Sequence, residues 1–138
     1  MLIVGICFME KFALERTKSS PRVVLDPSMN YFEISGMSRP ENVLKFYDPI
    51  IKWIDIFCKE SEAEMILNFR MTYFNTATSK MFLTIVHTLE RAYLNDKKVE
   101  VLWSYESGDD DMLEAGKEFK DLVKVPFSIQ ESKQDFLQ

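Results

Sequence analysis

Met71-Thr72-Tyr73-Phe74-Asn75-Thr76-Ala77-Thr78-Ser79-Lys80 joins two kinds of hydrophobic pattern. Upstream, Met65-Ile66-Leu67-Asn68-Phe69-Arg70 and the following Met71–Phe74 alternate in the manner of a buried strand. Downstream, Phe82, Ile85, Val86, Leu89 and Tyr93 recur every three or four residues, the spacing of an amphipathic helix. The polar turn between them carries three hydroxyls, Thr76, Thr78 and Ser79. A strand that enters a helix through such a turn sets these side chains beside backbone N–H groups that lack helical partners. Two readings follow. A hydroxyl caps the helix, the commonest use of Ser and Thr there. Alternatively, a threonine at this helix start is a phosphorylation site, its added charge tolerated by the helix dipole and paired by Lys80.

Outward from this turn, the pattern predicts a layered α/β domain. Short strands are expected at Phe12–Glu15, Arg22–Asp26 and Tyr31–Ser35, the last two joined as a hairpin through Asp26-Pro27-Ser28-Met29-Asn30. Pro21 suits an edge position for the second of these strands. Ser38 is read as the N-cap of a helix running to about Lys59, with Pro40 and Glu41 in its first turn. Phe46, Ile50, Trp53, Ile54 and Phe57 make its expected buried face, and Pro49 is expected to kink or divide it. After the central strand–turn–helix come a strand at Val99–Tyr105, an acidic loop at Glu106–Asp111, a helix at Met112–Leu122 and a strand at Val125–Gln130. The whole is an α/β fold with a mixed sheet of five to six strands and three main helices. The crossovers between parallel strands are expected to be right-handed. Residues 1–11 are read as an N-terminal extension, with Met9 the natural start, residues 12–130 as one domain, and residues 131–138 as a frayed polar tail.

Composition narrows the function. The 138 residues suit one domain, with 46% hydrophobic and 28% charged residues, so the chain can bury a core without metal or disulfide staples. The formal net charge of −5 and the lack of a basic stripe argue against nucleic-acid binding. No stretch reaches the roughly 18 apolar residues of a membrane span. The apolar opening Met1–Phe8 lacks a basic n-region and a cleavage site, so a cytoplasmic location is expected. Cys7 and Cys58 read as reduced thiols, and with His87 they do not fill a four-ligand zinc site. Glycine is absent from the Asn75–Lys80 turn, so it does not cradle a nucleotide.

Two candidate chemistries remain beside the turn. Asp109-Asp110-Asp111 could hold a hard cation, yet acids just ahead of a helix are also what its dipole favours. His87 lies between Val86 and Thr88 in the central helix with no carboxylate or nucleophile near it in sequence, so a structural histidine outweighs a general base.

Three segments together resemble the SiaC-like regulatory phosphoproteins, small bacterial switch proteins of the STAS, anti-anti-sigma-factor-like type. They are Tyr73-Phe74-Asn75-Thr76 with Ser79-Lys80; Gly36-x-Ser38-x-Pro40-Glu41-Asn42; and Trp103-x-Tyr105-Glu106 followed by Asp109–Asp111. Met37, Arg39 and Ser104 depart from the family pattern, where a basic and two aromatic residues are expected. The resemblance spans about Phe12 to Gln130. It implies a STAS-like domain without enzymatic activity or cofactor. It also implies phosphorylation of Thr76 by a serine/threonine kinase of the histidine-kinase-like ATPase type, reversed by a PPM-type phosphatase. The unphosphorylated form would bind a GGDEF diguanylate cyclase and raise cyclic di-GMP, favouring biofilm. Asn75, Thr78, Ser79, Lys80, Glu41, Asn42, Tyr105, Asp109 and Asp110 are then candidate partner contacts. The rival expectations are a small metal-assisted hydrolase using the acidic loop and His87, and an adaptor that is never phosphorylated.

Overall fold

The computed structural model describes residues 9–136. The expectations placed on residues 1–8, Cys7 among them, lie outside that range. Nine elements follow in order: β1 (Phe12–Leu14), β2 (Arg22–Asp26), β3 (Tyr31–Ser38), α1 (Val43–Glu60), β4 (Met65–Phe74), α2 (Thr76–Leu94), β5 (Val99–Glu106), α3 (Asp110–Asp121) and β6 (Phe127–Ser132). They build the expected α/β domain with three helices. The six strands lie in the sheet in chain order; β1, β2 and β3 pair antiparallel, and β3 to β6 pair parallel.

All three helices pack on one face. Phe57 of α1 meets Phe32 of β3, Phe82 of α2 meets Phe69 of β4, and Phe119 of α3 meets Trp103 of β5, with ring centroids 5.3, 4.9 and 5.3 Å apart. Parallel strands added in one direction with crossovers of one hand place their helices on the same side, which produces this two-layer sandwich. The opposite face is polar. Glu33 lies buried there between Arg22 (3.4 Å) and Arg70 (3.7 Å), and Ser104 Oγ donates to Asn68 Oδ1. The buried positions of β4, Met65, Leu67, Phe69 and Met71, alternate as the sequence pattern requires.

Beyond Met71 that alternation breaks. Gly36 pairs with Met71 but Met37 pairs with Tyr73, so Thr72 is an extra residue in β4. Such a bulge inverts the side-chain parity beyond it. Phe74 therefore turns into the core against Phe82, Trp103 and Phe119, while Tyr73 is 51% exposed. Gly36 accommodates the bulge at φ +107°, and its carbonyl accepts the Thr72 hydroxyl proton at 3.2 Å.

Several local expectations are corrected. Asn42, not Ser38, caps α1: its side chain accepts from Lys45 N at 3.1 Å, whereas β3 continues to Ser38. Pro49 does not divide α1, which runs unbroken from Val43 to Glu60; the proline sits exposed in the second turn, where a single helical N–H is lost. Tyr47 is fully buried, and Phe46 only half-buried. Pro21 does not mark an edge, because β2 lies between β1 and β3.

The ends also differ from their expected roles. Met9 packs on the core and the Glu10 carbonyl accepts from Trp53 Nε1 at 3.1 Å, so contact with the domain begins before Phe12. From residue 131 to 136 the chain is not frayed: β6 runs to Ser132 and Phe136 is buried. The Arg70 guanidinium lies 4.5 Å from the Phe136 ring centroid, Arg16 Nη2 donates to Phe136 O, and Phe136 N donates to Glu106 Oε2. Phe136 thus closes part of the polar face.

Candidate functional site

Because β3, β4 and β5 run parallel, the loops after them emerge at one edge of the sheet. The turn carrying Thr76 stands in the middle, between the Arg39–Asn42 loop and the acidic Ser107–Asp109 loop. In open α/β sheets this is the edge where ligands and partners are met.

The central turn is capped by an amide. Asn75 Oδ1 accepts from Thr78 N at 2.9 Å, and the Asn75 carbonyl accepts from Ser79 N at 3.0 Å. None of the three expected hydroxyls does this work. Thr76, the first helical residue, is exposed, and its hydroxyl makes no hydrogen bond among the described residues. The first turn of α2 holds no acidic side chain, so the positive end of the helix dipole meets no carboxylate of its own, and Lys80 is exposed one turn on.

Thr78 departs from its expected place among the partner contacts. It is 0% exposed and points inward, 2.9 Å from Ser38 Oγ, which is itself 2.6 Å from Tyr47 Oη. Burial raises the Tyr47 phenol above its ordinary value, against the opposing effect of the Ser38 and Thr78 hydroxyls. Tyr47 and Ser38 were not among the candidate residues. The signal for Tyr47 was the spacing Tyr47-Ile50-Ile54-Phe57 along α1, four apolar rings or branches on one helical stripe. Ser38 carried no such signal.

Of the flanking candidates, Glu41 and Asn42 are exposed, and Asn42 is occupied as the α1 cap. They border a groove of about 520 Å3 lined by Phe12, Leu14, Pro40, Phe46 and Pro49. Tyr105 is half-buried and packs against the core. Asp109 Oδ1 accepts from Met112 N at 3.1 Å and so caps α3, with Asp110 and Asp111 exposed in its first turn. Among the described residues no group of three or more His, Cys, Asp or Glu is arranged to hold a metal ion. A concavity of about 710 Å3 opens at the opposite sheet edge, beside Ile66, Tyr93 and Leu94, remote from Thr76.

A two-layer α/β domain that offers an uncommitted threonine at a helix start, on its loop-bearing edge, has the build of a small signalling module. The chain belongs to the SiaC family of regulatory phosphoproteins: residues 14–132 match that family. Its backbone is similar to the crystal structure of apo-SiaC from Pseudomonas aeruginosa, with a TM-score of 0.81 and 27% identity over 88% of this chain and 99% of that one. It is similar also to SiaC in a complex with the diguanylate cyclase SiaD of the same organism, which SiaC activates. There the TM-score is 0.83 at 26% identity, over 88% of this chain and 99% of that one. An uncharacterised protein of Pseudomonas aeruginosa is 28% identical over 114 residues, 83% of this chain and 90% of its own length. No helix among the described residues is long and apolar enough to cross a membrane.

Proposed function

We propose that this chain is a non-catalytic cytoplasmic regulator switched by reversible phosphorylation of Thr76. A serine/threonine kinase of the histidine-kinase-like ATPase type adds the phosphate and a PPM-type phosphatase removes it. The unphosphorylated form binds and activates a GGDEF diguanylate cyclase, so the phosphorylation state sets cyclic di-GMP output. The observation that carries the reading is the exposed Thr76 hydroxyl beside a cap already supplied by Asn75. Family membership and the SiaC–SiaD complex support it.

The mechanism is electrostatic. Phosphate adds about −1.5 to −2 charges at neutral pH. The edge around Thr76 already carries Glu41, Asp110 and Asp111 as exposed acids. Further negative charge there repels an acidic partner surface and makes the edge costlier to desolvate. Within the chain the same charge is tolerated by the α2 dipole and by Lys80.

The test is binding of the Thr76→Ala and Thr76→Asp variants to the GGDEF cyclases of the source organism, with cyclic di-GMP production as the readout. Thr76→Ala should bind and activate as the unmodified protein does, and Thr76→Asp should do so at least tenfold more weakly. Equal affinity of the two variants for the cyclase they bind would overturn the mechanism. The hydrolase reading is not favoured by the geometry. His87 sits half-buried eleven residues into α2, about 16 Å along the helix from Thr76, and Asp109 is engaged as a cap.

A further inference from the structure

Three hydroxyl-bearing side chains meet directly behind Thr76, each at 0% exposure: Ser38 at the end of β3, Tyr47 in α1 and Thr78 in α2. Ser38 is the hub. Its Oγ lies 2.6 Å from Tyr47 Oη and 2.9 Å from Thr78 Oγ1, while its carbonyl accepts from Thr78 Oγ1 at 3.2 Å and from Asn75 N at 3.1 Å. One direction uses each proton once: Tyr47 donates to Ser38 Oγ, Ser38 to Thr78 Oγ1, and Thr78 to the Ser38 carbonyl. The Tyr47 ring is held edge-on to Phe82, 5.8 Å between centroids, so the phenol is fixed from both ends.

The arrangement answers a problem of selection. Thr76, Thr78 and Ser79 offer a kinase the same chemistry within four residues. What separates Thr76 from Thr78 is burial, and that burial rests on Ser38 and Tyr47. We propose that Ser38, Tyr47 and Thr78 are positioning residues for the modification of Thr76: they clamp the first turn of α2 to β3 and α1, conceal Thr78, and leave Thr76 as the exposed hydroxyl of the turn, with Ser79 half-buried. The inference rests on the reading of Thr76 as the phosphate acceptor. A buried hydroxyl chain suits the role, because losing one member leaves the others short of partners in an apolar setting and frees the turn.

The test compares the full-length wild type with Tyr47→Phe, Thr78→Val and Thr78→Ser. Each protein is isolated from its native cells, and its phosphate is located by fragmentation across Thr72–Lys80. Amide exchange is followed on the same purified proteins. Tyr47→Phe and Thr78→Val should speed exchange of the Thr78 and Ser79 amides about tenfold, as expected from one lost hydrogen bond. Amides of β5 should be unaffected. Phosphate on Thr76 should fall in both variants, and in Tyr47→Phe part of it should move to Thr78. Thr78→Ser, which keeps the hydroxyl, should match the wild type in both readouts. Wild-type exchange and wild-type phosphate distribution in Tyr47→Phe would overturn the inference. Phosphate absent from the wild-type turn under every growth condition would instead overturn the acceptor reading, and with it any part in modification; the exchange rates would then report separately whether the hydroxyls hold the turn.

Discussion

Asn75 Oδ1 accepts the backbone N–H of Thr78 at 2.9 Å, and this bond releases Thr76 from any duty in ending the strand or starting the helix. Its loss should be felt as a missing N-cap. Asn75→Ala is expected to lower stability by about 1 kcal/mol in denaturant titration, with Asn75→Asp close to the wild type because the carboxylate caps equally well. Thr76→Ala should leave stability within about 0.5 kcal/mol, as for a surface change away from any cap or core contact. That contrast separates the residue that holds the turn from the proposed phosphate acceptor.

Gly116 of α3 lies against the Trp103 ring so closely that an added Cβ would stand 2.5 Å from Cδ1 and 2.8 Å from Nε1. The indole cannot move aside cheaply: its Nε1 donates to the Met112 carbonyl at 2.9 Å, and its ring packs on Phe69, Phe74 and Phe119. Alanine is the better helix former, yet overpacking should win. Gly116→Ala is expected to destabilise by about 1–3 kcal/mol, measured by chemical unfolding. An unchanged or raised midpoint would show that α3 can lift from the sheet.

Phe136 closes the polar face of the sheet beside Arg70. Removing its ring in Phe136→Ala should cost about 2 kcal/mol, the scale of one buried aromatic side chain. Proteolysis after residue 132 should become faster than in the wild type. Equal resistance to protease would mean that the terminal contact contributes nothing to holding the chain end.

The β2–β3 hairpin carries a pH-dependent contact. Ser28 Oγ donates to Asp26 Oδ1 at 2.7 Å, and the Ser28 and Met29 amides donate to the same oxygen, at 3.1 and 3.3 Å. The Ser28 hydroxyl above all, with these amides, holds the Asp26 carboxyl below its ordinary value of 3.8, against the opposing effect of burial. A carboxyl lowered by folding binds fewer protons in the folded than in the unfolded chain. Its stabilisation is therefore present above pH 3.8 and is lost as the pH falls through its folded value. Asp26→Asn should make the stability curve less steep below pH 4, read as the denaturant midpoint against pH. A curve of unchanged slope would assign the acid sensitivity to other carboxyls.

Much of the fold was legible because its signals are local. The period-two run Met65–Met71 and the helical stripe after Lys80 located β4 and α2, and through them the Thr76 turn. The acidic run marked the start of α3, although Asp110 and Asp111 form its first turn and not the loop before it, and the pattern of alternating strands and helices implied the parallel crossovers. The resemblance in the turn and its two flanking loops led to the family that residues 14–132 match.

Other features depended on partners distant in sequence. Thr78 reads as one hydroxyl among three until β3 brings Ser38, forty residues away, against it. Ser38 looks like a helix cap until pairing with β4 extends β3 through it. The alternation of β4 says nothing of Thr72 as an extra residue, yet that bulge turns Phe74 into the core and Tyr73 out. Phe136 stands in a polar stretch whose burial requires Arg70 and Glu106 to be already in place. By itself the sequence determined the elements, their order, the α/β class and the position of the threonine turn, since hydrophobic period and turn chemistry act within a few residues. Only the tertiary structure decided which hydroxyl faces solvent, which side chain caps the helix and where the strand parity reverses. Those choices are made by burial and hydrogen bonding across strands and helices that meet only when the chain has folded.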